Sequence, residues 1–144
     1  MANVTTNFLP IKGVKNGWRL KQLPMIASVA IAEGAGVYAV GDGTHTKVTN
    51  ATGNFMGIMA EPIVAADSDY ATSLKLKGVW CPVNEFAEAE FTVGAGTFTT
   101  ADVGKKVKFN DEISLAVDTA GTQADITGYI SSTRGKCRFN LAFS

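Results

Sequence analysis

Hydrophobic and polar positions alternate along this chain in short stretches, and glycine interrupts the alternation every few residues. Residues 137–143 are the clearest stretch. Cys137, Phe139, Leu141 and Phe143 alternate with Arg138, Asn140 and Ala142, the period of two that a half-buried strand requires. Residues 73–81 behave similarly, with Leu74, Leu76 and Gly78 on one face and Lys75, Lys77 and Val79 on the other. Further strands are predicted at 26–32, 36–40, 46–49, 55–61, 106–109, 114–117 and 126–131. Pro62 denies a ladder donor at the end of the fourth of these. No long window repeats apolar residues at helical spacing. Only residues 100–104 suggest a helical turn, with Thr100 as N-cap, Asp102 near its positive end and Gly104 ending it. The pattern predicts an all-β, mostly antiparallel domain, a compact β-sandwich or barrel-like body.

Residues 1–25 break the pattern. They carry Lys12, Lys15, Arg19, Lys21 and the α-amino group but no acidic residue, and they scatter Phe8, Leu9, Ile11, Val14 and Trp18 among polar positions. Two expectations follow. One is an extended N-terminal arm that docks on another protein, with 26–144 as the β domain. The other is an N-terminal strand that wraps its own domain. Under the first, Trp18 is an intermolecular anchor, and removing residues 1–25 leaves the β domain folded.

A weak internal repeat runs through the β region. Val37 precedes Gly57 by twenty positions as Val107 precedes Gly128 by twenty-one, and each half ends in an alternating stretch, 73–78 or 136–141. Two similar β-units are expected, each too small to bury a core alone.

The chain has 144 residues, with 13 Lys plus Arg against 13 Asp plus Glu. That length suits one domain with a real core. The zero net charge argues against a nucleic-acid partner, which calls for a basic excess. No stretch approaches the roughly 18 apolar residues of a membrane span, and no basic-then-apolar leader opens the chain, so a soluble, non-exported product is expected. Cys81 and Cys137 are too few for a disulfide framework. Two buried thiols are expected, with a single bridge left open.

Convergent chemistry is sparse. The single histidine, His45, follows a Gly-Asp-Gly turn and is expected to be a solvated turn residue. It shows no paired ligand spacing with Cys81 or Cys137, so no metal is expected. Asp67-Ser-Asp69 resembles part of a calcium loop but lacks the glycine and closing glutamate of that geometry. Glu85, Glu88 and Glu90 are expected on a solvated face of an Ala-rich connector rather than as a catalytic carboxylate pair. Neither an enzymatic activity nor a cofactor is expected. Trp80 is expected in the core or at a subunit interface.

Three segments carry a family resemblance: Gly36-Val-Tyr-Ala-Val-Gly-Asp42, Phe55-Met-Gly-Ile-Met-Ala60 and Thr100-Ala-Asp-Val-Gly-Lys-Lys-Val107. Strands of the Leu74-Lys-Leu-Lys-Gly-Val79 and Arg138-Phe-Asn-Leu141 type follow downstream. Over roughly residues 26–144 this order resembles the capsid decoration (cement, head-stabilising) proteins of tailed bacteriophages. The resemblance implies a β-rich virion structural protein that binds the outside of the capsid and bridges major capsid protein subunits. It also implies a homotrimer, assembled in the host cytoplasm, with an arm that completes capsid sheets. The arm residues expected to dock are Phe8, Leu9, Ile11 and Trp18, with Lys12, Lys15 and Arg19 meeting acidic capsid surface. The rival expectations are a tail-tube or head–tail joining subunit, which would form rings or tubes, and a carbohydrate-binding module stacking sugars on Trp80 or Tyr38.

Overall fold

The computed structural model describes residues 9–10, 17–48, 54–83, 87–118 and 124–139. The strands among them are β1 (Leu9–Pro10), β2 (Trp18–Met25), β3 (Gly36–Ala39), β4 (His45–Lys47), β5 (Asn54–Met59), β6 (Lys75–Pro82), β7 (Glu88–Ala95), β8 (Lys106–Asp111), β9 (Ser114–Val117), β10 (Ala124–Ser131) and β11 (Arg134–Phe139). The one helical element among the described residues is a 3₁₀ turn, Thr100–Asp102. The fold is all-β.

The strands form two closed rings. In order, β2, β4, β3, β5 and β6 make a five-stranded barrel. A second ring runs β7, β11, β10, β8 and β9, and a β7–β9 pairing joins its ends. Closure removes most of the unpaired edge that an open sheet would expose. β1 is added to β7 outside the ring, antiparallel, with Leu9 opposite Glu90 and Pro10 opposite Ala89.

The two barrels share one topology. In each, the first strand pairs antiparallel with the last and parallel with the third, and the remaining pairings are antiparallel. They also share one register. Met25 faces His45 as Val93 faces Leu115, and Val37 faces Lys47 as Val107 faces Val117. Val37 faces Gly57 as Val107 faces Ala124, and Met59 faces Val79 as Ile126 faces Cys137. Leu23 faces Lys77 as Phe91 faces Gly135. One set of correspondences therefore satisfies all five pairings around each ring, so stagger and strand number agree.

The agreement extends beyond the ladders. Gly34 donates its N–H to the Met59 carbonyl at 2.9 Å as Gly104 donates to Ile126 at 2.8 Å. Both glycines lie in the left-handed region, at φ 83° and 93°, where a Cβ would meet the following carbonyl oxygen. Val48 donates to the Gly36 carbonyl as Asp118 donates to Lys106. The repeat read from the sequence thus corresponds to the two barrels in order, but its glycine match is displaced. The ladder counterpart of Gly57 is Ala124 rather than Gly128, because identity aligns glycines whereas hydrogen bonds align strands.

Each barrel has an apolar interior. Leu23, Met25, Val37, Met59, Val79 and Cys81 fill the first. Phe91, Phe109, Leu115, Ile126, Cys137 and Phe139 fill the second, and Trp18, Val48, Phe55 and Ile58 from the outside of the first barrel join that same cluster. At this junction the backbones approach closely: a Cβ on Gly36 would lie 2.8 Å from the Phe109 ring. Gly36 also donates to the Glu112 carbonyl at 2.7 Å.

Several sequence expectations are corrected. Residues 26–32 are a turn-bearing connector, with Ser28 at φ 59°; only Ile31 pairs, in a bridge to Ile63. The β-branched residues there supply burial, not a ladder. The supposed Ala-rich connector contains β7, whose Ala89 and Phe91 point inward while Glu88 and Glu90 do not. The helical turn is capped one residue earlier than expected. Thr99 accepts from the Ala101 N–H at 3.3 Å and Asp102 Oδ2 accepts from the Thr99 N–H at 2.9 Å, a capping box.

Candidate interaction surface

The expected docking residues fall into four groups. Phe8, Ile11, Lys12 and Lys15 lie outside the described residues. Leu9 lies in β1, whose backbone pairs with β7 of its own chain. Arg19 is exposed on β2, opposite Cys81.

Trp18 is placed differently from the expected anchor. It is fully buried in its own chain, and its Nε1–H donates to the Glu88 carbonyl at 2.7 Å. Trp18–Met25 pairs along its whole length with β6, so a cut after residue 25 would open the first barrel. Of the two expectations for the N-terminal segment, the strand that wraps its own domain describes residues 18–25.

Groups singled out for chemistry are held apart. His45 is buried, not solvated, and its Nδ1–H donates to the Pro24 carbonyl at 2.8 Å. Asp67 Oδ2 accepts from the Val64 N–H at 3.0 Å, while Asp69 pairs with Lys77 at 3.0 Å. That Lys77 hydrogen bond holds the Asp69 carboxyl below its ordinary pKa. Glu85 lies outside the described residues. Glu88 accepts from the Thr127 hydroxyl at 2.7 Å, and Glu90 lies 3.5 Å from Arg134 Nε. Among the described residues, no three His, Cys, Asp or Glu side chains converge on a metal position.

Cys81 and Cys137 are both buried and free, one in each barrel interior. Tyr38 and Trp80 are partly buried against the junction core, so neither stands out as an open stacking platform.

The feature that departs from an ordinary surface is the outside of the first barrel. At register-equivalent positions the second barrel is charged where the first is not. Leu20 corresponds to Glu88, Gln22 to Glu90, and Ile58 to Asp125. Leu76, Gly78 and Trp80 correspond to Arg134, Lys136 and Arg138. Tyr38 and Val48 correspond to Lys108 and Asp118. The second barrel covers part of this face, at Val48, Ile58, Tyr38 and Trp80. The remainder stays open, with Leu20 at 49% and Leu76 at 59% exposure, and the Glu61 carboxylate accepts from the Gly78 N–H at 2.9 Å beside Leu20.

Lys75 accounts for which side of β6 faces out. It is only 6% exposed, and its Nζ donates to the carbonyls of Ile26, Tyr70 and Thr72 at 2.9, 3.0 and 3.2 Å. Three acceptors satisfy the ammonium's three donors. With Lys75 and Val79 turned inward, Leu76 is left on the outside. The alternation itself is visible in the sequence; the buried lysine that orients it is not, because Lys is rarely buried.

No protein-family model matches the sequence, and no curated protein is significantly similar to it.

Proposed function

We propose that this chain is a virion structural protein, a capsid decoration protein of the tailed-bacteriophage type. It binds the outer capsid surface and stabilises the shell by bridging major capsid protein subunits. The observation that carries this reading is the outer face of the first barrel, where Leu20 on β2 and Leu76 on β6 are exposed at ladder positions that carry charges on the second barrel. An exposed apolar patch on a rigid sheet fits a macromolecular interface rather than turnover of a small substrate. The polar outer face of the second barrel, with Lys108, Lys136 and Arg138 exposed, then suits the side turned to solvent. The small contact each copy makes is reinforced by repetition over the shell. The resemblance described above supplies the capsid as partner and the homotrimer as the associated state.

Light scattering on the purified chain, alone and mixed with expanded empty capsids, tests this. Stoichiometric uptake with a small closed oligomer beforehand is expected. No uptake overturns the reading, and rings or tubes of the chain alone would replace it with a tail-tube role.

A further inference from the structure

The turn that joins β3 to β4 carries the sequence Gly41-Asp42-Gly43-Thr44. Asp42 and Gly43 are exposed, whereas Thr44 and His45 are buried. Asp42 Oδ1 accepts from the Thr44 N–H at 3.0 Å and from the Thr44 hydroxyl. The Val40 N–H closes the hairpin on the Thr44 carbonyl at 3.0 Å. The second barrel builds its β8–β9 turn in the same way. There Asp111 Oδ1 accepts from the Ile113 N–H at 2.9 Å and from the Ser114 hydroxyl at 2.8 Å. Thr44 and Ser114 immediately precede His45 and Leu115, which hold equivalent ladder positions. The two turns differ in the residue after the aspartate, Gly43 in the first barrel and Glu112 in the second.

That difference is chemical. The carboxyl carbon of an aspartate lies within reach of the next residue's backbone nitrogen, and a bond between them closes a five-membered ring. Glycine offers that nitrogen without a shielding Cβ and with the torsional freedom that closure needs. Gly43 lies at φ 95°, and a Cβ built on it would have nothing within 4 Å, so the surroundings leave the turn room to move. Among the described residues nothing accepts from the Gly43 N–H.

We infer that Asp42 is a modification site, where the backbone isomerises spontaneously to isoaspartate and thereby loosens the closure of the first barrel. The Gly43 nitrogen attacks Asp42 Cγ, its proton and the carboxyl hydroxyl leave as water, and a succinimide forms. Water then adds at the Asp42 main-chain carbonyl and breaks its bond to the Gly43 nitrogen. The chain now runs through Asp42 Cβ and Cγ, one atom longer, with a free α-carboxylate and no net change in mass. Thr44 restrains the first step. Its hydroxyl bond, and then its N–H bond, hold the Asp42 carboxyl below its ordinary pKa, and the ionised form has no hydroxyl to lose.

The extra atom enters at a sensitive place. β4 is only three residues long, and its parallel pairing with β2 rests on the single pair Met25–His45. The Ile26 N–H donates to the His45 carbonyl at 3.0 Å, and His45 Nδ1–H donates to the Pro24 carbonyl at 2.8 Å. A lengthened hairpin displaces Thr44 and His45 relative to Val40, so these bonds yield first.

The test incubates the full chain for weeks at physiological temperature and neutral pH, then digests it and reads isoaspartate by electron-transfer fragmentation. The peptide holding Asp42 should accumulate a mass-neutral isomer, while the one holding Asp111 does not. Thr44→Val should accelerate the conversion severalfold. Asp42→Asn should convert faster still, losing ammonia in place of water and so changing mass. Asn16-Gly17 is the other pair of this kind in the sequence, and peptide mapping separates it. In the modified fraction the Ile26 amide should exchange about fivefold faster, as loss of one backbone hydrogen bond predicts. The Ile126 amide of the second barrel, which donates to the Lys105 carbonyl, should be unchanged. No isoaspartate at residue 42 in either the parent or Thr44→Val, equal conversion at Asp111, or unaltered exchange at Ile26 in modified molecules would overturn the inference. Every readout is on the chain alone, so the capsid reading stands or falls separately.

Discussion

Trp18 meets Phe139 edge-on, with ring centroids 6.2 Å apart and planes at 72°. One ring begins the first strand of the first barrel and the other ends the last strand of the second. Phe139 also stacks on Phe55 at 4.6 Å, so aromatic rings from both barrels meet at one point. The barrels are thereby joined by a shared core rather than by a linker, and the chain should unfold as one unit.

Truncating Trp18 tests that joint. Trp18→Ala should cost about 3–5 kcal/mol, because it removes a fully buried ring and leaves a cavity. Trp18→Phe should cost about 1–3 kcal/mol, since the Glu88 carbonyl loses its donor while most of the apolar area remains. Denaturant titration followed by fluorescence of the remaining Trp80 and by circular dichroism should give coincident transitions for both variants. Separate transitions would show that the barrels unfold independently.

The buried ammonium of Lys75 is a second joint, local to residues 60–74. Lys75→Met keeps the aliphatic volume but leaves three carbonyls without their common donor, at a cost of about 2–3 kcal/mol. The loss should concentrate where those carbonyls lie. Hydrogen exchange should speed up at Tyr70, Thr72 and Leu74 well before β10 or β11 responds. Uniform acceleration across both barrels would mean that Lys75 supports the global fold instead.

The two thiols make an alkaline prediction. Burial pushes the Cys81 thiol from 9.0 up to about 11, opposed by the Lys21 charge. Burial likewise pushes Cys137 well up, with the Glu88 charge adding to the effect and Arg134 opposing it. The folded state therefore keeps its protons where the unfolded chain has released them. The stabilising contribution is complete below about pH 9 and declines as pH rises through the folded values, by about 1.4 kcal/mol per pH unit for each thiol at most. The difference in alkaline slope between the parent and Cys81→Ala or Cys137→Ala isolates this contribution from that of lysines and tyrosines. A thiol reagent at pH 8 should find no reactive group in the folded chain and two after denaturation.

Much of this architecture is legible in the sequence, for definite reasons. Ser114–Val117 is a short apolar run bounded by turn residues, and the structure places β9 there. Val37 and Val107 occupy equivalent ladder positions, so the repeat was detectable from order and spacing. Other elements are hidden by chemistry that local pattern does not carry. Ala87 and Ala89 are fully buried around the start of β7, but small residues between glutamates give little apolar signal, so the strand resembles a connector. Leu74 and Leu76 look like core by composition. Leu76 is turned outward by the inward capture of its neighbour Lys75 by carbonyls as distant in sequence as Ile26, and Leu74 precedes the strand at a left-handed φ of 65°. A cavity joins residues 30–33, 62–64 and 112, which no local window brings together.

The register match between the barrels supplies a direct test of the open leucine positions, because the chain already contains a charged version of them. Leu20 and Leu76 correspond to Glu88 and Arg134. Writing the second barrel's residues onto the first, as Leu20→Glu with Leu76→Arg, places side chains already carried at the same ladder positions of an identical topology. Both leucines are about half exposed or more, at 49% and 59%, so stability should change by no more than about 0.5 kcal/mol each. Association through that face should respond strongly, since each charge must now be desolvated against a partner shaped for leucine. Capsid uptake should fall by at least about tenfold, with the melting transition unchanged. Uptake that survives the double substitution would remove the first barrel's outer face from the interface. The binding surface would then have to be sought on the charged barrel.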